Sequence, residues 1–163
     1  DYVFEAAGPG STYVFTGSAH ARLCTIMGGL DLSEVGVHDW FLYALLRAAG
    51  GRWLIDAQPT LDYRQHGDNV QGEHAGVAAF CSRLGNLRSG FYRRQFLLTA
   101  RTARRVGGDH HDVAWRHELD ALIADLEDTG LRGRIGIARR FREIRRDPKE
   151  GLELAVACLA GIW

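Results

Sequence analysis

An arginine, an amide, an imidazole, a carboxylate and a glycine stand within the stretch Tyr63-Arg64-Gln65-His66-Gly67-Asp68-Asn69-Val70, and upstream of it stands His38-Asp39-Trp40. A soluble core has little use for that mixture, because each buried polar group needs a partner. A site that holds a charged diphosphate and moves a proton does have a use for it. Asp39 falls where a loop becomes a helix, a position at which amide groups and the helix dipole stabilise a carboxylate. It is the candidate general base, with His38 as its tuning neighbour and Trp40 as a platform for an apolar or sugar face. The competing reading is a plain helix cap with Trp40 in the core. His66 follows directly on strand-like sequence. Imidazole is a common metal ligand, and the neighbouring Arg64 can grip phosphate with its planar fork. A glycine loop lets both close on a ligand; the competing reading is a turn with a solvated histidine.

A third group, Gly8-Pro9-Gly10-Ser11-Thr12, lets backbone approach a ligand closely and offers the hydroxyls of Ser11 and Thr12. It is not a phosphate-binding P-loop, since the Gly-Lys-Ser/Thr ending is absent. As a plain strand-connecting turn it would do no chemistry. His110, His111 and His117 could suggest a metal site, but His110 and His117 lie two turns apart along one helix, too far to share one ion easily, and the three read as solvent-facing.

The elements that must position these groups follow from pattern. Tyr2–Glu5, Thr12–Thr16, Trp53–Asp56 and Thr60–Arg64 read as strands. Ser18 caps a helix to about Met27, stopped by Gly28-Gly29. Phe41, Leu42, Leu45 and Leu46 recur at helical spacing from His38 to about Ala49. From Ala75 onward the pattern is helical: Ala75–Val106 with a break near Ser89-Gly90, a helix capped by Asp112 to about Asp128, Leu131–Arg146, and a last helix led by Pro148. Residues 1–73 are therefore expected to be α/β, and residues 74–163 an all-helical extension.

At 163 residues and 46 % hydrophobic content the chain can bury a core, and disorder is not expected. Its net charge is zero but uneven: residues 1–82 carry four arginines against nine acidic residues, and residues 83–149 carry sixteen basic residues against nine acidic ones. Cys24, Cys81 and Cys158 have no zinc spacing and sit in apolar helical contexts, which suggests buried thiols in a reducing, cytoplasmic compartment. No signal peptide is expected, and no apolar run reaches the roughly twenty residues that a membrane span needs. The chain opens on Asp1, directly into strand-like sequence, and reads as a fragment whose beginning is missing.

Taken together, Gly8-Pro9-Gly10 with Thr12-Tyr13, His38-Asp39-Trp40, and Tyr63-Arg64-Gln65-His66-Gly67 with Asn69-Val70 resemble the C-terminal half of family 2 glycosyltransferases of the rhamnosyltransferase-like kind. Gly50-Gly51-Arg52-Trp53 with Asp56 fits the segment between them. The resemblance covers residues 1–95 well and the rest loosely. It implies a GT-A fold, here the C-terminal half of a mixed α/β sheet with flanking helices. It also implies inverting transfer of a sugar, rhamnose by subgroup, from a nucleotide-diphosphate sugar to a glycan or lipid-linked glycan acceptor. By the same resemblance Asp39 is the base, His66 meets a divalent metal (Mg²⁺ or Mn²⁺) or the diphosphate, Trp40 lines the acceptor side, and Arg64 and Gln65 lie near the pyrophosphate. His38 stands where many members have Glu. The family's donor half, with its Asp-x-Asp motif and most of the metal's ligands, is not in this sequence. The chain alone is therefore expected to be inactive.

The helix Leu131–Arg146 carries seven arginines, with Leu131, Ile135, Ala138 and Phe141 on one face, and the last helix is mostly apolar. Such a pair can lie on an anionic membrane at the inner face of the cell. It can equally form a bundle that packs on a catalytic domain, which would make the chain a non-catalytic module seated on a donor-domain chain. No aromatic-basic RNA motif is present, so nucleic acid is not expected as a partner.

Overall fold

Thr16, Asp112 and Asp147 each open a helix by accepting a hydrogen bond from an amide of the first turn. The computed structural model describes residues 5–56, 58 and 85–163. Its helices include α1 (Gly17–Met27), α2 (His38–Ala48), α3 (Phe91–Gly107), α4 (Val113–Glu127), α5 (Leu131–Arg139), α6 (Phe141–Ile144) and α7 (Pro148–Leu159), with single 3-10 turns at Gly10–Thr12 and Gly108–His110. The cap of α1 is Thr16, two residues earlier than the expected Ser18, because Thr16 has the extended backbone that a cap needs. Asp112 and the Asp147-Pro148 pair start α4 and α7 as the sequence suggests.

Two glycines end helices in the left-handed conformation. After α2, Gly50 (φ 78°) donates to the Arg47 carbonyl and Gly51 to that of Leu46. After α7, Gly161 (φ 72°) donates to Cys158 and Ile162 to Ala157. Both are Schellman closures, which satisfy carbonyls that a helix end leaves open. Gly90 (φ 68°) precedes α3 and confirms the expected break at Ser89-Gly90.

The main core joins α3, α4, α5 and α7 through Phe96, Ala100, Leu122, Leu126, Ile137 and Cys158. A second cluster packs α1 on α2 through Leu23, Phe41, Leu45 and Leu46. Helix α2 touches both, since Ala48 and Trp40 belong to the first. Burying each large side chain contributes about 1.5–3 kcal/mol.

The expected mixed sheet is not found: among the described residues there is no strand. Residues 13–16 and 53–56 are non-helical, yet their backbones do not pair with a neighbouring strand. Their aromatic side chains meet instead, Tyr13 and Phe15 against Trp53 at 4.7 and 5.8 Å. Strand propensity records fitness for a pleated, half-buried surface, and a ladder forms only where a partner strand lies alongside. Thr12 closes the 3-10 turn rather than opening a strand. Of the other two expected strands, Thr60–Arg64 lies outside the described residues, as does Tyr2–Glu5 except for Glu5 itself.

The helix expected over Leu131–Arg146 splits at Arg140 into α5 and α6. The face predicted from Leu131, Ile135, Ala138 and Phe141 does not enter the core. Gly133 and Ile137 do. A Cβ at Gly133 would meet the Asp128 carbonyl, and one at Gly151 the Phe141 carbonyl, so glycine lets these segments approach backbone to backbone.

Candidate functional site

Asp39 is the second residue of α2 and is 8 % exposed. It supplies the acid of the first turn, where the helix dipole favours negative charge. Among the described residues no donor is hydrogen-bonded to its carboxylate. The loop that delivers it is pinned by Gln95 of α3. The Gln95 amide nitrogen donates to the Glu34 carbonyl (2.9 Å), and its oxygen accepts from the Gly36 amide (2.8 Å). Gln95 is a buried amide on a helix face that also buries Thr99 and Thr102. Polar residues recurring at core spacing along one helix are the sequence signal for this contact.

The glycine turn lies against this helix start. A Cβ built on Gly10 would stand 2.7 Å from Nε2 of His38 and 3.5 Å from Cβ of Asp39. Two groups well separated in the sequence thus lie side by side. Thr12 Oγ1 donates to the Pro9 carbonyl at 2.7 Å, so this hydroxyl holds the turn together; Ser11 is exposed. His38 is exposed at the rim.

Tyr13 ties the two pieces. Its hydroxyl donates to the Asp39 backbone carbonyl (3.2 Å) and accepts from the Ala7 amide (3.1 Å). Burial pushes the Tyr13 phenol up to about 12, the nearby Asp39 charge adds to the rise, and the Ala7 amide and Arg146 oppose it. Behind it, Arg146 donates to the Tyr43 hydroxyl (3.1 Å) and to the Ala6 carbonyl (3.0 Å). Glu5 is buried between Arg146 (3.2 Å) and Arg145 (3.5 Å), and its Oε1 also accepts from the Arg146 amide (3.0 Å). The segment before the turn is therefore latched to the residues just before α7. No spacing in the sequence announces a contact of that range.

Trp40 is half-buried, its ring stacked on Phe96 (5.0 Å) and tilted on Tyr92 (5.7 Å) of α3. No described contact joins it to the Gly10 turn. Arg64, Gln65 and His66 lie outside the described residues. Among the described residues no three His, Cys, Asp or Glu side chains gather as a metal-binding group. His110 and His117 are exposed as expected, but His111 is not simply solvent-facing. It stacks on Trp115 (4.0 Å) and its Nε2 bonds the Ala48 carbonyl (3.0 Å), closing the end of α2. Cys158 is buried and its thiol is pushed up to about 11 by burial; Cys24, expected to be buried, is exposed. Leu23, not its neighbour, turns into the core from α1. Cys81 lies outside the described residues.

Over its whole length, aligned across 165 residues, the chain is 39 % identical to the C-terminal half of dTDP-rhamnosyl transferase RfbG of Shigella flexneri. The likeness to that protein runs the whole length of the chain. It spans 52 % of that protein's length. No family model matches the chain, and no solved structure matches it. Among the described residues, no helix is long and apolar enough to cross a membrane.

Proposed function

We propose that this chain is the acceptor-side part of an inverting, family 2 glycosyltransferase. It would take rhamnose, the sugar in its relative's name, from a nucleotide-diphosphate donor and place it on a glycan or lipid-linked glycan. One observation supports this reading above the others. The Gly10 turn closes on the start of α2 where Asp39, low in exposure and with no described donor on its carboxylate, is held by Tyr13 and by the Gln95-pinned loop.

A sugar hydroxyl is a poor nucleophile at neutral pH. In the proposed step its oxygen bonds to the anomeric carbon while its proton passes to the Asp39 carboxylate. The bond from that carbon to the diphosphate breaks, and the electron pair leaves with the diphosphate. A positioned base is worth about 10²–10⁴-fold. Fixing its geometry is the task of Tyr13 and Gln95, since orientation can supply several further kcal/mol, roughly 7–11 at best. A divalent ion would neutralise the departing diphosphate. The described residues do not gather a ligand set for it, and His66, Arg64 and Gln65 are assigned to the diphosphate side by resemblance alone. In this reading the donor is bound mainly by a part matching the other half of the relative, on the cytoplasmic side of the membrane.

The test is rhamnosyl transfer from dTDP-rhamnose to a lipid-linked glycan, with Mg²⁺ or Mn²⁺, by the gene product that carries this chain. Asp39→Asn lowers turnover by about 10²-fold or more while the protein stays folded. Normal turnover in that variant removes Asp39 as the base.

A further inference from the structure

Helix α7 is apolar on two sides. Gly151, Ala155 and Cys158 face the core, yet Leu152 (54 % exposed), Val156 (59 %) and Leu159 (47 %) recur along the outward side. A helix that is hydrophobic all round is normally covered. Its neighbour α5, joined to it where the Cys158 thiol donates to the Arg134 carbonyl (3.6 Å), repeats the arrangement. Ile137 enters the core while Leu131, 67 % exposed, stands outside with half-buried Ile135.

Cations border both stripes. Arg132 and Arg139 flank Leu131 and Ile135 on one face of α5, and both are exposed with no ion-pair partner among the described residues. Lys149 is exposed one turn before Leu152, and Glu150 beside it is neutralised by Arg145. Other cations of the basic helices pair internally, as in Arg101 on Glu127 and Arg104 on Asp120, while Arg105 is exposed on α3 with no ion pair among the described residues. Arg132, Arg139 and Lys149 are the cations beside the uncovered apolar stripes, and Glu153, next to the α7 stripe, is an exposed acid without an ion pair among the described residues.

We propose that the outward faces of α5 and α7 dock on an anionic lipid bilayer, the apolar stripes entering the headgroup boundary and the arginines meeting lipid phosphate. Apolar residues rimmed by Lys and Arg on a helix lying flat are the pattern such surfaces use. A second copy is a poorer occupant, because a two-fold contact through this patch gathers the Arg132 and Arg139 cations of both copies into one interface. Nucleic acid would match the arginines but leave the leucines uncovered. The docking surface is independent of the role of Asp39.

The experiment is co-sedimentation of this chain with vesicles of mixed phosphatidylglycerol and phosphatidylcholine, and with phosphatidylcholine alone. The chain binds the anionic vesicles, binds the neutral ones far less, and loses affinity as salt shortens the screening length from about 10 Å to about 3 Å. Leu152→Ser with Val156→Ser, and separately Arg132→Gln with Arg139→Gln, each lower partitioning about tenfold or more. These positions are exposed, and an unchanged thermal melt shows that each variant is folded. Failure of the parent chain to bind anionic vesicles overturns the proposal, as does unaltered binding by both folded variants. Conversion of a dimer to a monomer by the stripe variant, with vesicle binding intact, assigns the surface to a second copy and also overturns it.

Discussion

The backbone of Gly10 faces the His38 imidazole at a distance that admits no side chain: a Cβ there would stand 2.7 Å from Nε2 and 3.0 Å from Cδ2. Gly10→Ala must therefore displace either the ring or the turn. Crowding of this kind costs typically about 1–3 kcal/mol, reduced here because His38 is exposed and can swing outward. Under the proposed function, transfer falls by about tenfold or more, as the turn shifts against Asp39. The check is a kinetic assay beside a thermal melt: a large loss of turnover with a small loss of stability is the expected pair.

Tyr13 yields a prediction in alkali. Its phenol is raised from the ordinary value of 10.0 to about 12, first by burial. Between those values the unfolded chain releases the Tyr13 proton while the folded chain keeps it. The unfolded state then binds fewer protons, so stability declines as pH rises through this window and is unaffected by Tyr13 below it. Spectrophotometric titration of the phenols checks this: the wild type shows a late-ionising tyrosine, and Tyr13→Phe removes that phase. The same variant leaves the Ala7 amide without its described acceptor and should cost about 1–3 kcal/mol.

The Glu5 latch predicts long-range coupling. Glu5→Gln keeps the size but removes the charge that faces Arg145 and Arg146. Hydrogen bonds to charged groups are worth about 1.5–3 kcal/mol. The variant should lose stability of that order, and hydrogen exchange should quicken at Ala7, whose amide rests on Tyr13 behind the latch. An exchange rate at Ala7 that stays fixed while Glu5→Gln destabilises the protein would separate the two.

Local chemistry made the helices legible. Asp112 and Asp147-Pro148 mark their starts, and Gly50-Gly51 marks an end, because a cap or a left-handed glycine acts within a few residues of its own position. The strands were misread for the opposite reason. Thr12–Thr16 and Trp53–Asp56 have strand composition, but a ladder needs a neighbour that composition does not supply. The arginine helix failed by one face, since the pattern weighed Leu131 above Gly133, and close backbone approach favours the residue with no side chain. In the candidate site Asp39, His38 and the glycine turn could be named from residue type alone. Their meeting through Tyr13, and the support from Gln95 and Arg146, could not, because those contacts join residues remote along the chain.

The thiols offer a readout of the same packing. Cys24 is exposed on α1, whereas Cys158 is buried between α5 and α7 with its thiol pushed up to about 11 by burial. The thiolate is the reactive form, so burial slows Cys158 twice, by blocking access and by disfavouring ionisation. In the native chain a maleimide should modify Cys24 quickly and Cys158 only at the rate at which α7 opens. Gly151→Ala should speed the second reaction, because its Cβ would collide with the Phe141 carbonyl and lever α7 from α6. Peptide-resolved mass spectrometry follows each site separately, and the expected outcome is an accelerated Cys158 with Cys24 unchanged. Equal acceleration at both cysteines would instead mean that the substitution loosens the whole chain rather than the seat of α7.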